Sequence, residues 1–420
     1  MLPISRDRRG RLALCPTRFG PGIVGGAEIV LRGMALRLRD RGWDVEVLTT
    51  CATDHHTWEN VLPAGVSIED GLRVRRFPVV AGGGPDRAEL ERRILAGDRL
   101  TRAEQERWLH TGMRVPGLRD HVRVHARHHR ALVYTPYPSW VSVACSAVAP
   151  DRSVLWTCLH DEPYAALDVF RPMFTDVAGL LFQSGPEHDL AHRLVPGSAP
   201  RALAPHAEVG CGVEVPATYD PDGFRARYGV RGRFLLYAGR REGAKGWDAL
   251  LDAFAAATVR HDLPFSLVTM GGGPVRPPAA VADRVVDLGF LPDADRDSAF
   301  AAAEAYVQPS RYEAFSRTVM EAWLAGTPVV ANAGSDVVAW HCRRSGAGLL
   351  YADADEFARH LRFLADAPDR AARLAEGGRV YVLEHYGWDA VLDRVEAALG
   401  SWTGAARPDH SGRSTSVALR

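Results

Sequence analysis

Residues 309–330 read PSRYEAFSRTVMEAWLAGTPVV, and the way this stretch folds decides the architecture of the chain. The AYVQ before it is a short apolar strand, a helix begins near Ser316 and stops at Gly326, and Pro328 opens the next strand. Strand, loop, helix and strand in that order are the repeating unit of a parallel sheet. The first-turn amides around Ser316, Arg317 and Thr318 lack intrahelical partners and carry the positive end of the helix dipole. That turn is an anion site by construction. Glu313 lies in the loop beside it, and Glu321 lies about one turn inside the helix.

Working outward, YAGRREGAKGW (237–247) is a strand end followed by a turn that holds Arg240 and Lys245. Two cations at the carboxyl end of a parallel strand suit a diphosphate that no metal neutralises. Of the 51 basic residues, all but one are arginine, and the single lysine is Lys245. In TCLHDEP (157–163), His160 emerges at the end of another strand. Near the start, GPGIVGGAE (20–28) spells G-x-G-x-x-G with Gly20, Gly22 and Gly25, between strand RLALCPT and a helix over 27–41. A dinucleotide fold needs an acid near the end of the following strand. That strand, DVEVLTT (44–50), ends in two threonines, and Asp54 comes too late. A nicotinamide dinucleotide is disfavoured.

The 420 residues suffice for two domains. Strands ALVYTPY (131–137), VLWTCLH (154–160) and GLLFQS (179–184) complete a first α/β half, into which 86–130 reads as a polar, helical insertion. A hinge-like stretch rich in Pro, Gly and charge follows at 216–233, and the strand–helix alternation then restarts. The expected units are 1–215 and 216–384, with a helix over 385–400 returning to the first unit and a disordered tail at 401–420. Net charge is zero, which excludes a global field towards nucleic acid or acidic lipid. No apolar run is long enough to span a membrane, and the charged start does not read as a signal peptide. Six scattered cysteines form no C-x-x-C pair, which suits a reducing cytoplasm and argues against a disulfide framework or zinc site. The arginine-rich, lysine-poor composition points to a GC-rich, bacterial genome.

With these residues in view, the chain resembles the retaining, two-domain (GT-B) glycosyltransferases of family 4, from about residue 11 to residue 400. The specific elements are Glu313–seven residues–Glu321 within P-S-x-x-E-x-F…E-A…G-x-P-V-V, and G-R-x-x-x-x-K-G at 239–246. Gly25-Gly26-Ala27-Glu28, His160-Asp161, Ser184, the glycines of 271–274 and Trp388 in a closing helix support it. The resemblance implies an α/β, GT-B fold: two Rossmann-like domains facing each other across a cleft. It implies a nucleotide-diphosphate sugar donor, no metal and no other cofactor. Arg240 and Lys245 would bind the diphosphate, Glu321 the ribose hydroxyls, and Glu313 the transferring sugar. The amides of Ser316, Arg317 and Thr318 would touch sugar or phosphate. His160 would line the reacting centre from the acceptor domain, and Gly25 and Gly26 would let backbone approach the phosphates. The acceptor stays open between a small aglycone, a lipid-linked sugar and a polysaccharide, so peripheral membrane contact stays open too. Two departures stand out: Ser316 replaces the usual glycine after E-x-F, and 209–214 replaces the usual P-N-G-V-D loop.

Other readings compete. A nucleotide-sugar epimerase or a catalytically silent partner subunit could share this fold, although every charged position of the donor site is filled. His160 could be an ordinary buried histidine and Gly25–Gly26 a plain turn. HDLAH (188–192) imitates a zinc-protease helix, but Asp189 is a shortened base, so a structural helix is expected. RDHVRVHARHHR (119–130) lacks aromatic interleaving and reads as a solvated helix face. Asp293 and Asp295 form D-x-D in what reads as a solvated turn rather than a metal site.

Overall fold

The computed structural model describes residues 9–403 apart from Pro21, Val24, 197–201 and Asp262. Eight strands form the first sheet: β1 (Arg11–Pro16), β2 (Asp44–Thr50), β3 (Gly65–Glu69), β4 (Leu72–Phe77), β5 (Ala131–Thr135), β6 (Ser153–Trp156), β7 (Gly179–Phe182) and β8 (His206–Glu208). Their order is β3-β4-β2-β1-β5-β6-β7-β8, and only the edge pair β3–β4 is antiparallel. The second sheet holds β9 (Arg233–Ala238), β10 (Phe265–Met270), β11 (Val285–Asp287), β12 (Ala305–Gln308), β13 (Val329–Asn332) and β14 (Gly348–Tyr351). It is wholly parallel in the order β11-β10-β9-β12-β13-β14. The central strands β5, β6, β7 and β12 are buried at every residue, as expected where both faces of a parallel sheet are covered.

Counted from β9, the second sheet runs 3-2-1-4-5-6, so its order reverses between β9 and β12. In an open parallel sheet, ligands bind in the crevice beyond the carboxyl ends of the two strands that flank such a reversal. The turn after β9 carries Lys245, and the loop after β12 carries Glu313. The first sheet reverses between β1 and β5, and the glycine loop at 20–28 leaves the end of β1. Topology alone therefore points both sets of loops at ligand-binding crevices.

The 86–130 segment folds as three helices, Pro85–Leu95, Arg102–His110 and Pro116–His125, whose Leu90, Ile94, Trp108, Leu118 and Val122 join the core of the first domain. The histidine run is not merely a solvated face. His129 is buried, with Nε2 3.3 Å from Glu46 Oε2 on β2. Burial works against the Glu46 charge, but His129 and Arg75 outweigh it and hold the carboxyl at about 2.

The stretch read as a hinge contains a helix, Pro221–Tyr228. Asp220 caps its first turn and Gly229, at φ 65°, closes it. Asp295 is no solvated turn residue: it lies in the first turn of helix Asp293–Ala302, pairs with Arg227 and accepts a 2.8 Å hydrogen bond from Tyr228. The last helix is Trp388–Thr403, so residues 401–403 are helical rather than tail; residues 404–420 lie outside the described residues. The Trp388 ring lies against Gly33 and Gly212, where any Cβ would collide with it, and Arg37 stacks on the ring at 4.6 Å. Trp402 packs on Gly179 in the same way, and Glu396 accepts from Trp43 Nε1 at 2.7 Å. The chain thus returns from the second domain to pack on the first. Among the described residues, no helix is long and apolar enough to cross a membrane.

Candidate active site

Two loops meet at the crevice of the second sheet because Gly246 lets them. Its φ is 72°, a backbone conformation that side chains disfavour, and a Cβ there would press into the Pro309 carbonyl. Asn332 Nδ2 donates to that carbonyl at 3.0 Å and fixes the second loop. The close approach sets Lys245 Nζ 2.9 Å from Glu313 Oε1. Glu313 is largely buried, which by itself disfavours its charge. Lys245 more than compensates, with help from Ser310 and His160, so the carboxyl sits below its usual value and is ionised at neutral pH. Lys245 has three N–H donors and gives one to Glu313. Arg240 follows the end of β9, half-exposed, with its nearest carboxylate, Glu242, 3.3 Å away. The buried Tyr237 hydroxyl donates to the Arg240 carbonyl at 2.6 Å and fixes the turn.

The helix of the motif is Arg317–Leu324, and Ser316 is its N-cap at φ 66°, in the left-handed region. That conformation explains why glycine is the usual residue there: a Cβ costs about 1–2 kcal/mol in left-handed backbone. Ser316 recovers part of this through a 2.7 Å hydrogen bond that its Oγ accepts from Gln308. Ser316→Gly should keep turnover and Tm close to wild type, whereas β-branched Ser316→Val should lower Tm by more than about 5 °C. Thermal melts with steady-state rates check both. The Thr318 hydroxyl accepts from Tyr306 at 2.8 Å. Glu321 accepts from Arg317 at 2.8 Å and has Arg296 3.7 Å away, in a small cavity lined also by Tyr219 and Asp297. Arg317 is therefore committed to Glu321.

From the first domain, His160 sits in the loop after β6, with Nδ1 3.8 Å from Glu162. Tyr137 donates to Glu162 at 2.6 Å. Burial pushes the Glu162 pKa up, but His160, Tyr137 and, from across the cleft, Lys245 bring it below its usual value. Glu162 and Tyr137 escaped the sequence reading because no motif marks them. Glu187 escaped it too. Ser184-x-x-Glu187 looks like a capping box, but the buried Glu187 carboxylate turns away to accept from Thr157 Oγ1 and the Leu159 amide, both at 2.6 Å, and from the Gln183 amide. It ties down the loop that carries His160. Ser184 Oγ donates to the Ala314 carbonyl at 3.0 Å, so the two domains touch beside Glu313.

Gly25 is the N-cap of helix Gly26–Asp40 and is fully extended at φ 172°. The Glu28 carboxylate folds over it to meet Arg18 at 2.5 Å, so a Cβ on Gly25 would displace that pair. Gly26 faces open space. The acid that a dinucleotide fold requires is missing, since Thr50 at the end of β2 instead donates to the Thr17 carbonyl at 2.7 Å.

Residues 232–367 match the family model "Glycosyl transferases group 1". Over 91% of both chains, the protein is 27% identical to a D-inositol 3-phosphate glycosyltransferase from Saccharomonospora viridis. It is 35% identical to an MMP alpha-(1->4)-mannosyltransferase from Mycolicibacterium hassiacum over 44% of this chain and 46% of that one. Its fold matches a sucrose-phosphate synthase from Thermosynechococcus elongatus with a TM-score of 0.68 at 20% identity, covering 94% of this chain and all of the other. Fold, relatives and motif agree on one class: the chain is a GT-B glycosyltransferase. Within that class it is similar to the group 1, family 4 enzymes.

Proposed function

We propose that the protein moves a sugar from a nucleotide-diphosphate donor to an acceptor hydroxyl, with retention of anomeric configuration and without a metal ion. The Lys245–Glu313 pair at the reversal of the second sheet carries this reading. The diphosphate leaving group gains negative charge as its bond to the sugar breaks. Lys245 has two donors left for it, Arg240 holds a half-exposed guanidinium nearby, and the amides of Ser316, Arg317 and Thr318 add the helix dipole. The ionised Glu313 faces the positive charge that develops on the sugar ring. Glu321 takes the ribose hydroxyls, and His160 with Glu162 lines the acceptor side. The sugar–phosphate bond breaks while the acceptor oxygen bonds the same carbon on the same face. The departing phosphate oxygen takes the acceptor proton. Gly26, with open space before it, lets the first domain's backbone close on the phosphates.

The relatives' names pair glycosyl transfer with an inositol phosphate and with a mannosyl group, so a polyol or sugar acceptor is the first to assay here. NMR of the first-formed glycoside, in buffer containing EDTA, tests the reading. The expected product keeps the donor's anomeric configuration and forms at an undiminished rate. An inverted centre would overturn the retaining mechanism, and a rate that returns only with magnesium or manganese would overturn the metal-free site.

A further inference from the structure

The histidines of HDLAH are joined by a third that the sequence pattern does not reveal. His188 and His192 lie one turn apart on helix Gly185–Leu194, and His206 opens β8 beside them. His192 Nε2 is 3.0 Å from His188 Nε2, which is 3.3 Å from His206 Nε2. The three candidate ligand atoms all fall within 4.8 Å of one another.

The outer ring nitrogens fix which atoms are free. His206 Nδ1 donates to the Ala204 carbonyl at 3.0 Å, and His188 Nδ1 donates to the Asp189 carboxylate at 3.1 Å. With both Nδ1 atoms protonated, the facing Nε2 atoms of His188 and His206 are two lone pairs at 3.3 Å, which cannot hydrogen-bond each other. His192 Nε2 can donate to His188, and no protein group then donates to the His206 lone pair, which is left to solvent. A cation at the centre satisfies all three at once. Carbonyl and carboxylate partners on the outer nitrogens are the usual support of metal-bound imidazoles, where they set the tautomer and raise ligand basicity. Zinc–nitrogen bonds of about 2.0–2.1 Å at tetrahedral angles put ligand nitrogens roughly 3.3 Å apart; the His188–His206 pair stands at 3.3 Å and the His192–His188 pair at 3.0 Å.

We propose that His188, His192 and His206 form a three-imidazole site for a borderline divalent cation, zinc foremost, with a solvent-open fourth position. The donors are all nitrogen, which selects zinc, nickel, cobalt or copper over magnesium or calcium. The site is separate from the sugar-transfer centre and has no part in that chemistry. Its helix begins at Ser184, the residue that bonds Ala314 across the cleft. A metal would tie this helix to β8 and stiffen that contact.

The test uses untagged full-length protein, stripped with EDTA and dialysed, then titrated with cobalt chloride and zinc chloride. Cobalt should give visible d–d absorption that saturates at one equivalent, and zinc should displace it. Zinc should also raise Tm by about 5 °C. His192→Asn and His206→Gln, both at exposed positions, should each weaken binding at least about tenfold and lose the Tm rise, while their metal-free Tm matches wild type. Asp189→Asn should weaken binding by a comparable factor through His188. His128→Asn should bind as wild type does. Absence of stoichiometric binding, or binding unchanged in both His192→Asn and His206→Gln, would overturn the site.

Discussion

Glu313→Ala is expected to cut turnover about 100-fold, roughly 2.7 kcal/mol of transition-state stabilisation, while the donor KM moves less than about threefold. The carboxylate is buried, ionised and fixed by Lys245, so in the proposed reaction its field would act with little solvent screening on the charge that appears only as the sugar leaves. Glu313→Gln keeps the shape, removes the charge and should be nearly as slow, which separates electrostatics from packing. Glu321→Ala should show the opposite split. A ribose contact is similar in ground and transition states, so KM should rise about tenfold with kcat little changed. Steady-state kinetics with varied donor decide it. Equal effects of both variants on kcat and KM would refute the division.

Lys245→Arg is expected to lower turnover at least ~10-fold, about 1.4 kcal/mol, with the fold intact. Arginine stands at every other basic position of this chain, so only local geometry explains why it does not stand here. An ammonium is a compact point charge that can bond Glu313 at 2.9 Å and still point donors elsewhere. A planar guanidinium would take the carboxylate side-on and push both groups aside, beside a turn already locked by Gly246 against Pro309. Displacements of about 1 Å at a reacting centre can cost on the order of 100-fold. Arg373→Lys, at an exposed position, is the control for Tm and rate. Wild-type turnover in Lys245→Arg would make the lone lysine a compositional accident.

Much of the fold was legible because parallel strands are short, continuous apolar runs that local sequence shows directly. DVEVLTT matches β2 residue for residue and AYVQ matches β12, while β5 stops at Thr135, two residues short of the expected ALVYTPY. The edge pair β3–β4 went unread: LRVRRF alternates with arginines, and GVSIE is exposed along nearly its whole length. The helix Pro221–Tyr228 was hidden by its own caps, since Asp220, Pro221 and Gly229 are turn formers in a list of residues but helix boundaries in space. At the site, the glutamates and Lys245 were marked by spacing. Glu162, Tyr137 and Glu187 were not, because the contacts that place them, Tyr137 with Glu162 and Thr157 and Leu159 with Glu187, join loop residues 25 to 30 positions apart. His206 and the Glu46–His129 pair were illegible for the same reason: sheet order, not sequence distance, makes them neighbours.

The crevice of the second sheet is expected to hold a nucleoside diphosphate through Lys245 and Arg240. Isothermal titration of uridine and guanosine diphosphates into the full-length protein, in EDTA, measures that. At least one of the two should bind wild type with a single site, and Lys245→Ala and Arg240→Ala should each weaken it at least about tenfold while Arg373→Lys does not. Binding that is absent without a divalent metal, or unchanged in both alanine variants, would contradict the account.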